Sequence, residues 1–271
     1  MSAATATLNP ARLERSLGHT ATIYLKEVKY EFLKNLRLRM YTASVISFPI
    51  MFYILFGLVL NNKQSIGSTA IPLYLLGSYG TFGVMGASLF ATAAGLSSDR
   101  GLGWLQVKRA SPMPPFAYFI AKVIVSMAFS AIVVLALLTL GFAFGHVRMP
   151  FTQAAQFLVT LVLGSIPFST MGLALGYFTG PNSAPPTINL IYLPMSFCSG
   201  LWVPIMYLPV AIQKIALAMP PYHLSQLSLA VVGAPSQQSA ATHWEVLFAF
   251  TMICLGVARI GFQRDQEKMY G

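Results

Sequence analysis

The chain has 271 residues, of which 56% are hydrophobic and only 9% charged, and its formal net charge is +10. Soluble domains carry roughly a quarter charged residues, so this composition excludes an ordinary water-soluble enzyme and points to lipid as the solvent. The basic residues avoid the apolar stretches and gather in short segments, a pattern suited to a membrane surface and not to a nucleic-acid interface.

Residues 1–40 show no charged-then-apolar stretch ending in small residues, so no cleavable signal is expected and insertion falls to the spans themselves. From Thr22 to Met40 the sequence predicts an amphipathic helix, with Leu25, Val28, Phe32 and Leu36 at helical spacing and Lys26, Lys34 and Arg37 away from them. Such a helix lies in the interface plane with its basic side near anionic headgroups. It is either an anchor or a lever that also touches a cytoplasmic partner.

A hydrocarbon layer of about 30 Å requires about 20 apolar helical residues. Six stretches qualify, at about 41–60, 71–96, 115–144, 155–178, 187–206 and 244–262. The expected fold is therefore an all-α integral membrane protein with a single transmembrane domain over 41–262 and a tail at 263–271. Pro49 and Pro167 each remove a helical hydrogen bond and are expected to kink their spans. Gly77, Gly80, Gly83 and Gly86 of the second span suit either close helix packing or a hinge.

The loop 97–114 separates the second and third spans. Ser98 or Asp99 is placed to cap a short helix that Pro112 stops, and Trp104 with Leu105 gives it an apolar face. That helix is either a docking device or an interfacial element. The apolar segment 208–232 is divided by Pro209, Pro220 and Pro221 into pieces of about ten residues, too short to span. It predicts a re-entrant helical hairpin that enters the membrane and returns on the same side.

Fourteen of the seventeen Lys and Arg residues fall on one side of this topology, leaving Lys63, Arg148 and Lys214 on the other. The positive-inside rule then places both termini in the cytoplasm, in keeping with an even number of spans.

The seven acidic residues, Glu14, Glu27, Glu31, Asp99, Glu245, Asp265 and Glu267, all lie outside mid-span positions. Ion-coupled transport, which usually keeps a carboxylate or histidine at membrane depth, is disfavoured. His19, His146, His223 and His243 are expected in loops, interfaces or the hairpin, and Cys198 and Cys254 as packing thiols. No catalytic constellation, metal-ligand spacing or phosphate-binding loop is present in the sequence, so neither catalysis nor a cofactor is expected on this chain. A passive channel or membrane scaffold is the rival class.

Two motifs resemble a known family. Asp99-Arg100-Gly101, Leu105, Lys108-Arg109 and Ser111-Pro112 resemble the cytoplasmic segment of type-2 ABC transporter permeases, with Asp99 for the commoner glutamate and Gly103-Trp104 where Thr or Ser is frequent. Asn189, then Leu193 to Pro204 with its Ser199-Gly200-Leu201-Trp202 core, then Leu208-Pro209 and Pro220-Pro221-Tyr222 resemble the family's fifth-span signature. The resemblance covers nearly the whole chain. It implies a permease of the bacterial cytoplasmic (inner) membrane, expected to work as a homodimer of permease chains with two copies of a separate ATPase that binds ATP and Mg.

The resemblance further assigns Asp99, Arg100, Gly101, Trp104, Leu105, Lys108 and Arg109 to coupling with that ATPase. It places the first and fifth spans near the path between permeases, where Phe48, Phe52, Tyr53, Phe56, Tyr192, Met195, Phe197 and Trp202 are candidates either for lining or for ordinary packing. Gly200, Pro204, Pro209, Pro220 and Pro221 would shape an outer gate. An uncharged aromatic lining suits export of a hydrophobic or amphipathic compound such as a drug, antibiotic or lipid. A polysaccharide or lipid-linked sugar polymer is the alternative cargo.

Overall fold

The computed structural model describes residues 17–37, 39–60, 65–66, 69–111, 113–114, 116–234 and 238–270. The expectations on Glu14, Lys63 and Pro112 fall outside the described residues, as do those on the side chains of His19, Arg109 and Glu267.

The chain is predominantly helical. Helix α1 (Leu17–Arg37) leads into α2 (Arg39–Phe52), which contains Pro49 and continues as a π-helical segment, Tyr53–Val59. A two-stranded antiparallel hairpin, β1 (Ser65–Ile66) and β2 (Thr69–Ala70), then delivers the chain to α3 (Ile71–Leu89). A π-helical stretch, Phe90–Ala94, joins α3 to α4 (Gly95–Gly101), and α5 (Trp104–Ala110) follows after a turn. The rest is α6 (Ala117–Phe144), α7 (Phe151–Leu163), α8 (Ile166–Phe178), α9 (Ala184–Cys198), α10 (Val210–Ala216), α11 (Pro220–Val231) and α12 (Ala240–Tyr270).

Four helical stretches are long and apolar enough to cross a membrane, at 71–101, 117–144, 151–178 and 240–266, and Val45–Val59 is a shorter apolar helix. These are the helices of a multi-pass membrane protein. The stretch expected as a continuous span over 187–206 is helical only over Ala184–Cys198. Gly200 reverses the backbone there at φ 75°, a conformation that costs a side-chain-bearing residue about 1–2 kcal/mol. The span expected at 155–178 divides at Gly164 and Ser165, where Pro167 opens a second helix in place of kinking one.

Helix α3 is the centre of the bundle. Of its most apolar window, 89% is buried, against 22% for α12, and α3 packs against α2, α6, α7, α8, α9 and α11. Its glycines explain how so many neighbours come close. Residues three apart lie about 60° short of a full turn, so Gly77, Gly80, Gly83 and Gly86 sweep about half the helix circumference. A Cβ added at each would meet a different neighbour: Ser228 of α11 at 2.9 Å, Leu161 of α7 at 2.9 Å, Val133 of α6 at 2.5 Å and Tyr192 of α9 at 2.8 Å. Gly83→Val is expected to destabilise the chain by about 1–3 kcal/mol through overpacking. Thermal unfolding of the purified chain reads this, and Val133→Ala in the same chain should recover part of the loss.

Candidate functional site

The loop between the second and third spans begins as a continuation of α3. Ser98 and Asp99 sit inside α4, so neither caps the short helix that follows, contrary to the sequence expectation. Gly103, at φ 75°, breaks the helix and α5 restarts at Trp104 without a side-chain cap. The C-terminal end conforms to proline chemistry: Ser111 is extended at ψ 154°, the conformation that a following proline imposes.

Helix α5 has two faces. Leu105 is buried beside Leu96, Tyr118 and Tyr177, whereas Leu102, Trp104 and Val107 are exposed, Trp104 by 54%. These large apolar side chains are presented together on the surface.

Asp99 points the other way. It is 2% exposed and meets three groups: Tyr118 donates to it at 2.7 Å, Lys122 Nζ lies at 3.1 Å, and Lys34 donates to its other oxygen. Lys122 also donates to Glu31 at 2.6 Å, and Lys34 Nζ lies 3.8 Å from the second Glu31 oxygen. Two carboxylates and two ammoniums therefore form a neutral, buried cluster joining α1, α4 and α6. Burial alone would raise the Glu31 pKa, but the ammoniums of Lys122 and Lys34 outweigh it and hold this carboxyl below its ordinary value. With the folded pKa depressed, its contribution is complete above the unfolded carboxyl pKa and is lost as pH falls through the folded value. Acid should thus lower the melting temperature of the purified chain, and Glu31→Gln should flatten that dependence.

The other coupling candidates continue the theme. Arg100 donates to Asp265 of α12 at 2.9 Å and to the Gly176 carbonyl of α8 at 2.8 Å, and stacks over Tyr177 at 5.6 Å. Lys108 donates to Glu27 of α1 and lies 4.7 Å above the Tyr118 ring. Gly101 abuts Pro181, whose Cγ would lie 2.2 Å from an added Cβ. Asp99, Arg100, Leu105 and Lys108 are thus internal braces, whereas Gly101 and Trp104 are exposed.

Sequence reasoning missed Glu31, Lys34, Tyr118 and Lys122. Lys122 had been counted with the surface charges, yet it is buried in the second turn of α6, because α1 covers it. The covering face of α1 is Val28, Glu31, Phe32 and Asn35, while Leu25 and Leu36 point outward at 70% and 46% exposure. A glutamate one turn from Val28 and beside Phe32 is the signal that marks this stripe as a partner face and not a lipid face alone.

The path candidates divide. Phe52, Trp202, Phe82 and Tyr192 form one aromatic cluster, with Phe52–Trp202 centroids 5.3 Å apart and Phe82–Tyr192 4.8 Å apart. Phe56 stacks on Phe52 at 5.9 Å, and Met195 packs against the same core. Tyr192 donates to the Phe82 carbonyl at 2.9 Å. Tyr53 is fully buried on another face, against Gly141 and Gly145, and its hydroxyl has no hydrogen-bond partner among the described residues. Phe48 and Phe197 are exposed. Tyr53 and Tyr192 are thus buried in this conformation.

At the opposite end, the gate candidates act as starters. Pro204 precedes a 3₁₀ turn, Ile205–Tyr207, Pro209 precedes α10, and Pro220 and Pro221 form the first turn of α11. A cavity of about 460 Å³ lies among α10, α11, the first turn of α3 and the β-hairpin, with Lys214, Gln213 and Tyr222 in its wall. Buried His223 and His243 join α11 to α12 with Nδ1 atoms 2.8 Å apart, and His223 Nε2 lies 2.9 Å from the Leu217 carbonyl. Both cysteines are free. No cluster of three or more metal-ligating side chains occurs among the described residues.

Comparison with known proteins agrees with this architecture. The ABC-2 type transporter family matches residues 27–233. "Putative transport permease YvfS" of Bacillus subtilis (strain 168) is similar at 23% identity over 239 residues, covering 88% of this chain and 95% of the relative.

Proposed function

The chain belongs to the ABC-2 type transporter family, as a membrane transport permease that lacks the ATPase, and on that premise we propose that it exports a hydrophobic or amphipathic compound when a separate ATPase hydrolyses ATP. The complex holds two ATPase copies with Mg and ATP, and two copies of this permease. The chain crosses the bacterial inner membrane six times, with α2 and α9 as the shorter crossings, and both termini are cytoplasmic. Residues 1–40 are the cytoplasmic N-terminal segment, which includes the amphipathic interfacial helix, 41–262 the transmembrane domain and 263–271 the cytoplasmic tail, with the 208–232 hairpin as the re-entrant outer gate.

The observation that carries this reading is the construction around α5. An exposed apolar face at Trp104 and Val107, with Leu102 just ahead, stands on a helix braced to α1 by Glu27, while the preceding α4 is tied to α1, α6, α8 and α12. Force applied at Trp104 reaches four long helices through short, charged contacts. A partner that closes on ATP would use such a lever.

The absence of any Asp, Glu, Lys or Arg among the path candidates of the first and fifth spans is what favours an apolar cargo. Inside-out vesicles holding this chain and its neighbouring ATPase should accumulate a hydrophobic dye only with hydrolysable ATP. Accumulation without nucleotide would indicate a channel, and accumulation driven by a proton gradient alone would indicate ion coupling; either result overturns the proposal.

A further inference from the structure

A groove of about 620 Å³ lies between the start of α6, the end of α8 and the C-terminal half of α12. It shares no lining residue with the cavity beside α10 and α11 or with the exposed face of α5. Its floor is three rings, Phe119, Tyr177 and Phe262, whose centroids are 5.9–6.4 Å apart. Along α12 the lining runs through Leu255, Arg259, Phe262, Gln263 and Gln266, one stripe of a single helix. The stripe begins apolar at Leu255 and ends polar at Gln263 and Gln266, with Arg259 and Phe262 between them. From Leu255 to Gln266 it covers about 16 Å of helix, close to the ~15 Å that one leaflet contributes to the hydrocarbon layer.

The charge in the groove has one sign. None of its lining residues is acidic. Arg259 is exposed and makes no ion pair among the described residues, and Asp265, the nearest acid along α12, is held by Arg100. A guanidinium beside two side-chain amides, at the head of an aromatic trough, matches a phosphate attached to acyl chains.

We propose that this groove binds an anionic phospholipid, its phosphate held by Arg259, Gln263 and Gln266 and its chains lying on the Phe119, Tyr177 and Phe262 rings. Only the choice of leaflet, the cytoplasmic one, rests on the orientation proposed above. The occupied groove would seal the α6–α8–α12 surface that lies behind the Arg100–Asp265 brace, so bound lipid would stiffen the seat of the coupling helix.

Native mass spectrometry of the full chain tests this without ATP or ATPase, so failure of the export reading leaves the result interpretable. With equal amounts of dioleoyl phosphatidylglycerol and dioleoyl phosphatidylcholine, the chain should retain the anionic lipid about five-fold more, as one surface cation contributes. Arg259→Gln should erase that preference, and Arg264→Gln, outside the groove, should keep it. Glycerol phosphate without acyl chains should not displace the lipid. Equal retention of the two lipids, or a preference that survives Arg259→Gln, overturns the proposal. Displacement by glycerol phosphate, or a disulfide between two copies carrying Arg259→Cys in membranes, does the same by naming a different occupant.

Discussion

Lys122→Met is expected to destabilise the chain by about 3–5 kcal/mol, because it strands two buried carboxylates with one partner. Glu31 and Asp99 are each about 3% exposed, and Lys122 is the fully buried cation between them, at 2.6 and 3.1 Å. Lys34, the remaining cation, is about one-third exposed and cannot replace it from the same side. Methionine keeps most of the apolar stem, so the loss reports charge and not packing. Glu31→Gln in the same chain should recover much of the stability, since it removes the charge left unpaired. A single variant that melts with the wild type would show that the cluster holds nothing together.

The second large effect is functional. Trp104→Glu with Val107→Glu should leave the melting temperature unchanged, since both side chains are exposed. It should also weaken association with the proposed ATPase by about 30-fold or more, the scale of a lost tryptophan anchor. Co-purification measures the association, and ATP-driven dye accumulation measures its consequence. Leu105→Glu is the contrasting variant: Leu105 is 4% exposed in the α5–α6–α8 core, so a charge there should unfold the segment. Wild-type association in the double variant would exclude α5 as the docking helix.

These two variants show where the sequence was readable. Long apolar runs announced α3, α6 and α12, because hydrocarbon demands length and nothing else competes for that signal. The two pieces of the hairpin, α10 and α11, followed from Pro209 and Pro220. The end of α9 at Cys198 was less legible, since Leu201 and Trp202 continue the apolar run that Gly200 interrupts geometrically. Trp104 stood out as a knob by residue type alone. The inward turn of Asp99 did not, because it depends on Lys122 and Glu31, which lie 23 and 68 positions away in the chain. A buried ion cluster of this kind is a property of three helices meeting, and no local pattern in any one of them encodes it.

The burial of α3 on nearly all sides has a mechanical meaning. A helix whose four glycines key it to α6, α7, α9 and α11 cannot slide past one of them without disturbing the others. It is the stator of the molecule. In the proposed transport cycle the moving parts are then expected among the elements on its rim, and probes on α3 are expected to stay silent through a turnover.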